Sequence, residues 1–477
     1  MILQCRALQY ALPNQVSYWN DDSYRASRES YWSIQQQTVA PSCVVSPRST
    51  EAVSKAVRIL SSLNTAATYL GLSPAQFAIR GGGHTPWSGS ANIDEAVVLD
   101  LSAMKNISVN GAQTVTSLRP GLRWLDVYMK LDALGLSVSG GRVSDVGVAG
   151  LIIGGGISFF SARYGFACDN VEEFEVVLAS GEIINASAQE NSDLWLALKG
   201  GSNNFGIVTR FDVKTFRQER FWSGFIMNAV ESRFDQFEAF ETLNNAATYD
   251  KHAALINTYF WNPSYGHVVV NSLTYTKAEE YPETFKPFTD IQPQLVNTMR
   301  ISNMSDFTIE MVTRETRRNS FVTITLGNDA ALFEKVFDID NATLQTVTDV
   351  PNLSWSMTFQ AIPTSIRQHS VDRGGNSLGI PPSEGPLVLV LLTVSWDDAA
   401  DDERIDVASK SWFNRIKAAA NAMGLGNDWI YLNYAAPWQK PIDGYGAANK
   451  ARLQSVSRKY DPSGLFQKAV PGGFKLF

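Results

Sequence analysis

The chain has 477 residues, 44% of them hydrophobic, an ordinary globular composition able to bury a large core spread over roughly two or three domains. Its 40 basic and 47 acidic residues give a net charge of −7, and no basic run is long enough to track phosphates, which argues against nucleic acid as a partner. No apolar stretch approaches the ~18 residues of a membrane span, since the longest, Leu387 to Val394, has the length of a buried strand. In chain order, Met1 to Leu8 carries neither a basic leader nor an apolar signal core, so an intracellular protein and a mature secreted form are both open. Thr50-Glu51, with Thr50 as the cap, opens a helix whose face is Val53, Ala56, Val57, Leu60 and Leu63. Phe77 to Ile79 and Val97 to Leu101 read as strands on either side of a glycine loop, and Trp124, Val127, Leu131 and Leu134 mark a second helix that stops at Gly135. Phe174 to Leu178 and Ile183-Ile184 form a hairpin, Ser192-Asp193 caps a short helix, and residues 205 to 213 alternate as a half-buried strand.

After about residue 218 glycine thins out, and segments rich in Thr, Val and aromatics predict an antiparallel sheet with helices on one side, including a helix over 405–423. Tyr431 to Tyr434 reads as a strand-like piece, followed by a helix through Leu453, Val456 and Tyr460. The expected division is 1–218, 219–430 and 431–477. Cysteines at 5, 43 and 168 are too few for a disulfide scaffold or a CxxC metal site, although one bridge between Cys5 and Cys43 stays open. The histidines at 84, 252, 267 and 369 show no metal-ligand spacing.

Arg80-Gly81-Gly82-Gly83-His84 carries the chemistry. Consecutive glycines let backbone N–H groups converge on an anion such as a pyrophosphate, but the spacing fits neither GxGxxG nor GxxxxGK[ST]. Five further motifs stand in order: Gly140-Gly-Arg-Val-Ser-Asp-Val-Gly-Val-Ala-Gly150, Gly154-Gly-Gly-Ile-Ser158, Arg163-Tyr-Gly-Phe-Ala-Cys-Asp-Asn170, Gly200-Gly-Ser-Asn-Asn-Phe-Gly-Ile-Val-Thr209 and Tyr460-Asp-Pro462. With the glycine loop, they make a chain that resembles the berberine-bridge-enzyme-like FAD oxidases of the p-cresol methylhydroxylase and vanillyl-alcohol oxidase superfamily, fungal members especially.

The resemblance implies an α+β fold: an FAD-binding domain of the p-cresol methylhydroxylase type, made of two α+β subdomains, and a substrate domain whose antiparallel sheet is backed by helices. It implies FAD bonded covalently through its 8α-methyl to His84. Arg80, Gly81, Gly82, Gly83 and Thr85 would hold the pyrophosphate, together with Gly141, Ser144, Gly147, Gly150, Gly154, Gly155 and Ile157. Val208 would meet the adenine side, and Tyr431 and Asn433 the isoalloxazine. Many carbohydrate-oxidising relatives bond the flavin a second time through a Cys. Here Val143 holds that place, so a single link is expected and a sugar-oxidase reading is weakened. Val146, just before Gly-Val-x-Gly, falls where a Val goes with oxidases that react readily with oxygen. Plant relatives place a Glu on the substrate sheet, but Gly374 to Pro382 offers no carboxylate before Glu384. Tyr431 is then the first candidate for the catalytic base and His369 the second.

The function expected is an O2-dependent oxidase acting on a small organic molecule, a fungal secondary metabolite. An oligosaccharide or alditol oxidase and a redox-neutral cyclase are the alternatives. A monomer without a membrane span or nucleic-acid partner is expected. Secretion, with the Cys5–Cys43 bridge that secreted relatives carry, is preferred over an intracellular location. Sequons at Asn106, Asn185, Asn303, Asn341 and Asn352 are compatible with glycosylation.

Overall fold

Three sheets and the helices over them organise the chain, seen in a computed structural model that describes residues 3–245, 249–312 and 316–477. The first is small: Val97–Asp100 lies in the middle, with Cys43–Val45 and Phe77–Arg80 parallel to it on either side, and Val16–Ser17 pairs antiparallel at one edge. Parallel strands need crossovers, and the helix Thr50–Tyr69 supplies one, burying Val53, Ala56, Val57 and Leu60 against Phe77, Val97 and Leu99. Its cap is Ser49, whose hydroxyl accepts the Ala52 N–H, one residue before the predicted Thr50. Thr50 is instead engaged sideways, donating to Glu175 at 2.7 Å. A disulfide joins Cys5, in the helix Leu3–Ala11, to Cys43.

The long strand Ile207–Arg217 is the axis of the second sheet, pairing with Val115–Leu118 and Leu136–Val138 on one side and Val171–Val177 on the other. The predicted hairpin is present, Val171–Val177 turning into Ile183–Ser187. The helix Trp124–Asp132 packs its buried Trp124, Val127, Tyr128 and Leu131 into the core of this sheet, and the chain then turns through Gly135, at φ +66°. The short helix Ser192–Leu198 begins after Asn191, which sits in the left-handed region at φ +50°, so its boundary residue is again one position earlier than predicted. Asparagine tolerates that conformation better than serine does.

The third sheet is antiparallel throughout, with nine strands and Ala253–Asn262, Ser354–Ile362 and Leu387–Trp396 near its centre. The helices Arg233–Asn245, Ala330–Leu344 and Asp402–Ala422 bury Phe237, Phe333, Trp412 and Ile416 against it. Two segments leave this region for the second sheet's territory. Met304–Glu310 packs on Trp124–Asp132, the Ser144 N–H donating to the Thr308 carbonyl at 3.0 Å, and Thr364–Asp372 docks where the Ser370 hydroxyl donates to buried Asp169 at 2.6 Å. The predicted strand at 431–434 is instead a 3-10 turn, Leu432–Tyr434, with no ladder partner. The Asn433 side chain donates to the Leu151 carbonyl, which holds the turn against the second sheet's loops. None of the described helices is long and apolar enough to cross a membrane.

Candidate active site

The strand Phe77–Arg80 ends in the glycine loop, and backbone geometry explains why glycine is needed there. A Cβ on Gly82 would come within 2.4 Å of the Gly147 backbone, so two loops from different parts of the chain touch main chain to main chain. Gly83, at φ +68°, adopts a conformation that side chains rarely take. Arg123 ties the loops together, donating from Nη2 to the Gly82 carbonyl at 3.1 Å and from Nη1 to the Asp145 carbonyl. Arg80 supports the loop from beneath: it is 1% exposed, lies 3.8 Å over the Tyr31 ring and donates to the Ser30 hydroxyl at 2.7 Å.

Beside these loops is a cavity of about 490 Å³, walled by residues of all three sheets. That is the size of a ligand site. Gly81, Gly82, Gly83, His84 and Thr85 line it on one side, with Val146, Gly147, Gly150 and Ile157 beside them. Val208, Tyr431 and Asn433 line it as well. The other predicted binding residues stand behind this surface. Gly141 accepts the Tyr128 hydroxyl at 2.8 Å, Ser144 is buried, Gly154 is pressed against the Asn433 amide, and Gly155 lies between Leu378 and Tyr431. His369 is not among the lining residues; its Nε2 is 3.1 Å from the Ala162 carbonyl, in the docked 364–372 helix.

His84 is held by two residues that motif reading did not single out. The Trp32 ring stacks on the imidazole at 4.4 Å with an interplanar angle of 13°, and Asp145 Oδ1 lies 3.4 Å from Nε2. Burial alone would raise the Asp145 carboxyl, but His84 and Arg123 together hold it below its ordinary range. Tyr431, 1% exposed, has its hydroxyl oxygen 3.0 Å from both the Gly156 N–H and the Asn433 amide nitrogen, two donors that favour a phenolate. Burial outweighs them and pushes the phenol above its usual value.

The opposite wall belongs to the nine-stranded sheet. Thr258, Thr358, Gln360 and Thr393 present neutral polar groups there and Phe321 an apolar one, while Met311, at the end of the helix Met304–Glu310, adds a further apolar group to the cavity. Arg142 reaches across, donating from Nη2 to the Tyr434 hydroxyl at 2.9 Å and to Gln360. Sequence spacing offered no signal for Trp32, Gln360 or Phe321, because they meet the glycine loop only through the fold.

The cavity fits FAD on its own chemistry. A Cβ would close the glycine cradle, a requirement for close main-chain approach to a pyrophosphate. Ile207, Val208 and Phe211 give an apolar wall suited to a flat ring. His84 Nε2, Asp145 Oδ1 and Trp87 Nε1 are buried and without hydrogen-bond partners among the described residues.

Comparison with known proteins agrees. A family model described as an FAD binding domain matches residues 41–187. The chain is 38% identical over 488 residues to the FAD-dependent monooxygenase CTB5 of Cercospora beticola, covering 99% of this chain and 91% of that one. Its fold is similar to 6-hydroxy-D-nicotine oxidase from Arthrobacter nicotinovorans, with TM-score 0.77, 19% identity and 97% of each chain covered. Berberine bridge enzyme from Eschscholzia californica is similar in fold too, with TM-score 0.77, 16% identity and 98% and 99% covered.

Proposed function

The chain belongs to the berberine-bridge-enzyme-like FAD-linked oxidoreductases, and from that premise we propose that it is an oxidase taking a hydride from a C–H bond beside oxygen or nitrogen in a small organic substrate, with O2 reduced to H2O2. The observation that carries this reading is a single cavity that joins the glycine cradle and His84 to the polar face of the nine-stranded sheet. FAD, when bound, supplies the hydride acceptor and the passage of electrons to oxygen. The chain's residues bind, orient and manage protons.

The glycine backbone holds the pyrophosphate, with residues 1–218 and 431–477 as the FAD-binding unit and 219–430 as the substrate domain. His84 is the attachment point. With Nε2 facing Asp145, its Nδ1 is the nitrogen left for a covalent bond, and Trp32 fixes the ring plane. Val143 stands where a second link would need a Cys, which supports a single link and weighs against an oligosaccharide oxidase. Val146 lines the cavity, as an oxygen-side residue must. Tyr431 is the base that takes the substrate proton, its oxygen positioned by Gly156 and Asn433. Monomeric secretion is the setting we assign, supported by the Cys5–Cys43 bridge.

Insertion of an oxygen atom is the second reading, favoured by the monooxygenase name of the Cercospora relative. Incubation with a panel of aromatic alcohols, amines and sugars under ¹⁸O2 separates the two. Peroxide formed in step with product that carries no label supports the oxidase. Labelled product replaces it with oxygen insertion, and product without peroxide or label points to a redox-neutral cyclase.

A further inference from the structure

We propose that Arg142 is an anchor for an oxyanion on an aromatic substrate, a phenolate or an aryl carboxylate. The inference rests on the oxidase reading, because it takes the wall beside the nine-stranded sheet as the substrate's side of the cavity.

Three observations lead to it. First, the ionisable groups besides tyrosine that line the cavity among the described residues are His84, Asp145 and Arg142, and Asp145 is turned toward His84. Among the described residues Arg142 is therefore a guanidinium without a counter-charge. Arg119, Arg210, Arg300 and Arg318, by contrast, each have a carboxylate within salt-bridge distance. Second, Arg142 uses Nη2 for two neutral acceptors, Tyr434 and Gln360, while its Nε and Nη1 take no protein acceptor among the described residues. The two bonds fix the head in place without neutralising it. A partly buried cation is costly when left alone, and the planar fork of a guanidinium suits carboxylate and phenolate oxygens.

Third, Tyr434, which accepts from that head, belongs to a series of aromatic rings that line the cavity. Trp32 and Phe321 lie 5.3 Å apart between ring centres, Phe321 and Tyr434 6.0 Å, and Tyr434 and Tyr431 4.9 Å. Rings in a continuous series offer faces and edges to another flat ring. A fixed guanidinium that is bonded to one ring of such a series and is uncompensated among the described residues selects a molecule that is flat and carries negative charge on oxygen. An ionised phenol or aryl acid meets both conditions, and a neutral sugar meets neither.

Binding to purified holoenzyme decides the matter, read by calorimetry and by perturbation of the flavin spectrum. The probes are benzoate and 4-cyanophenolate, at a pH where the phenol is ionised, each set against a neutral counterpart, benzamide or 4-methoxybenzonitrile. At least one anion should bind about tenfold or more tightly than its counterpart, a difference of about 1.4 kcal/mol, and which anion does so tells phenolate from carboxylate. Arg142→Gln should abolish that preference at unchanged melting temperature and flavin content, and Arg142→Lys should retain part of it. The proposal is overturned if neither anion is preferred, or if the preference survives in Arg142→Gln. A shifted flavin midpoint potential in that variant, with anion binding intact, would give the charge to the cofactor and overturn it as well. Should Arg142→Gln not fold, the parent's preference and its reduction in Arg142→Lys give the answer. Peroxide production without anion preference removes this inference alone. Anion preference in a protein that forms no peroxide leaves the oxyanion site standing and removes the oxidase reading.

Discussion

Nε2 of His84 lies 3.4 Å from Oδ1 of Asp145, and neither atom has a hydrogen-bond partner among the described residues. A carboxylate facing one imidazole nitrogen favours the proton there electrostatically and leaves the other nitrogen with its lone pair, the form needed to bond a carbon. Asp145→Asn should therefore lower the fraction of protein carrying covalent flavin by about tenfold or more, while non-covalent flavin still binds in the glycine cradle. In-gel fluorescence after denaturation measures the first quantity, and absorbance of the native protein the second. Full covalent occupancy in Asp145→Asn would show that the pair is incidental.

Tyr431 presents a conflict that kinetics can resolve. Two donors point at its oxygen, yet burial holds the group as a phenol at neutral pH. If it takes the substrate proton, the reactive phenolate fraction rises about tenfold per pH unit as long as the pH lies below the raised pKa. Flavin reduction measured by rapid mixing should then climb with pH across the alkaline range. Tyr431→Phe should be slower by about 10²-fold and lose the climb. A rate within a few-fold of the parent with the same pH profile removes Tyr431 from the proton transfer.

These sites differ in how far the chain alone discloses them. Gly82 and Gly147 are legible because glycine runs are rare and the motifs around them are ordered, and the structure adds the reason, a backbone contact that admits no Cβ. Helical spacing discloses Thr50–Tyr69 and Trp124–Asp132, although their ends shift by a residue or two because Ser49 offers a cap as good as Thr50. The turn at 432–434 reads as a strand because its apolar residues bury like one; only the absence of a ladder partner tells otherwise. Trp32 and Gln360 belong to no motif, and Arg142 stands inside the 140–150 motif without a role that the motif assigns to it. They converge from an N-terminal arm, a loop and a distant strand, a contact set that periodicity along one segment cannot reveal.

Asp340 gives a pH prediction outside the cavity. It is buried between the indole N–H groups of Trp355 and Trp412, both donating to Oδ1 at 2.8 Å, while Oδ2 has no partner among the described residues. Burial raises its carboxyl to about 7, with the two indoles opposing. The folded form then keeps a proton that the unfolded chain releases near its ordinary value, so stability falls as pH rises from about 4 to about 7. The loss is at most about 4 kcal/mol. Asp340→Asn stays neutral at every pH and should flatten this part of the curve. Thermal melts of parent and variant from pH 5 to 8 compare them; parallel curves would mean that Asp340 is ionised in the native state throughout.

The Cys5–Cys43 bridge leaves Cys168, which is buried, as the free thiol. Unreduced protein, denatured and titrated, should show one thiol per chain, and Cys43→Ser should lower stability by about 2–4 kcal/mol. Three reactive thiols in protein recovered from its native source would place the chain in a reducing compartment and set aside secretion.

The most direct test of the whole account is whether flavin stays on the chain when the fold is destroyed. Purified protein should be yellow, retain the colour through acid precipitation and detergent, and show an intact mass increased by one FAD, with the adduct mapped to the peptide containing His84. His84→Ala should lose the adduct while keeping the fold. Colour released completely by denaturation, or an adduct that persists in His84→Ala, would contradict the assignment of His84 as the attachment point.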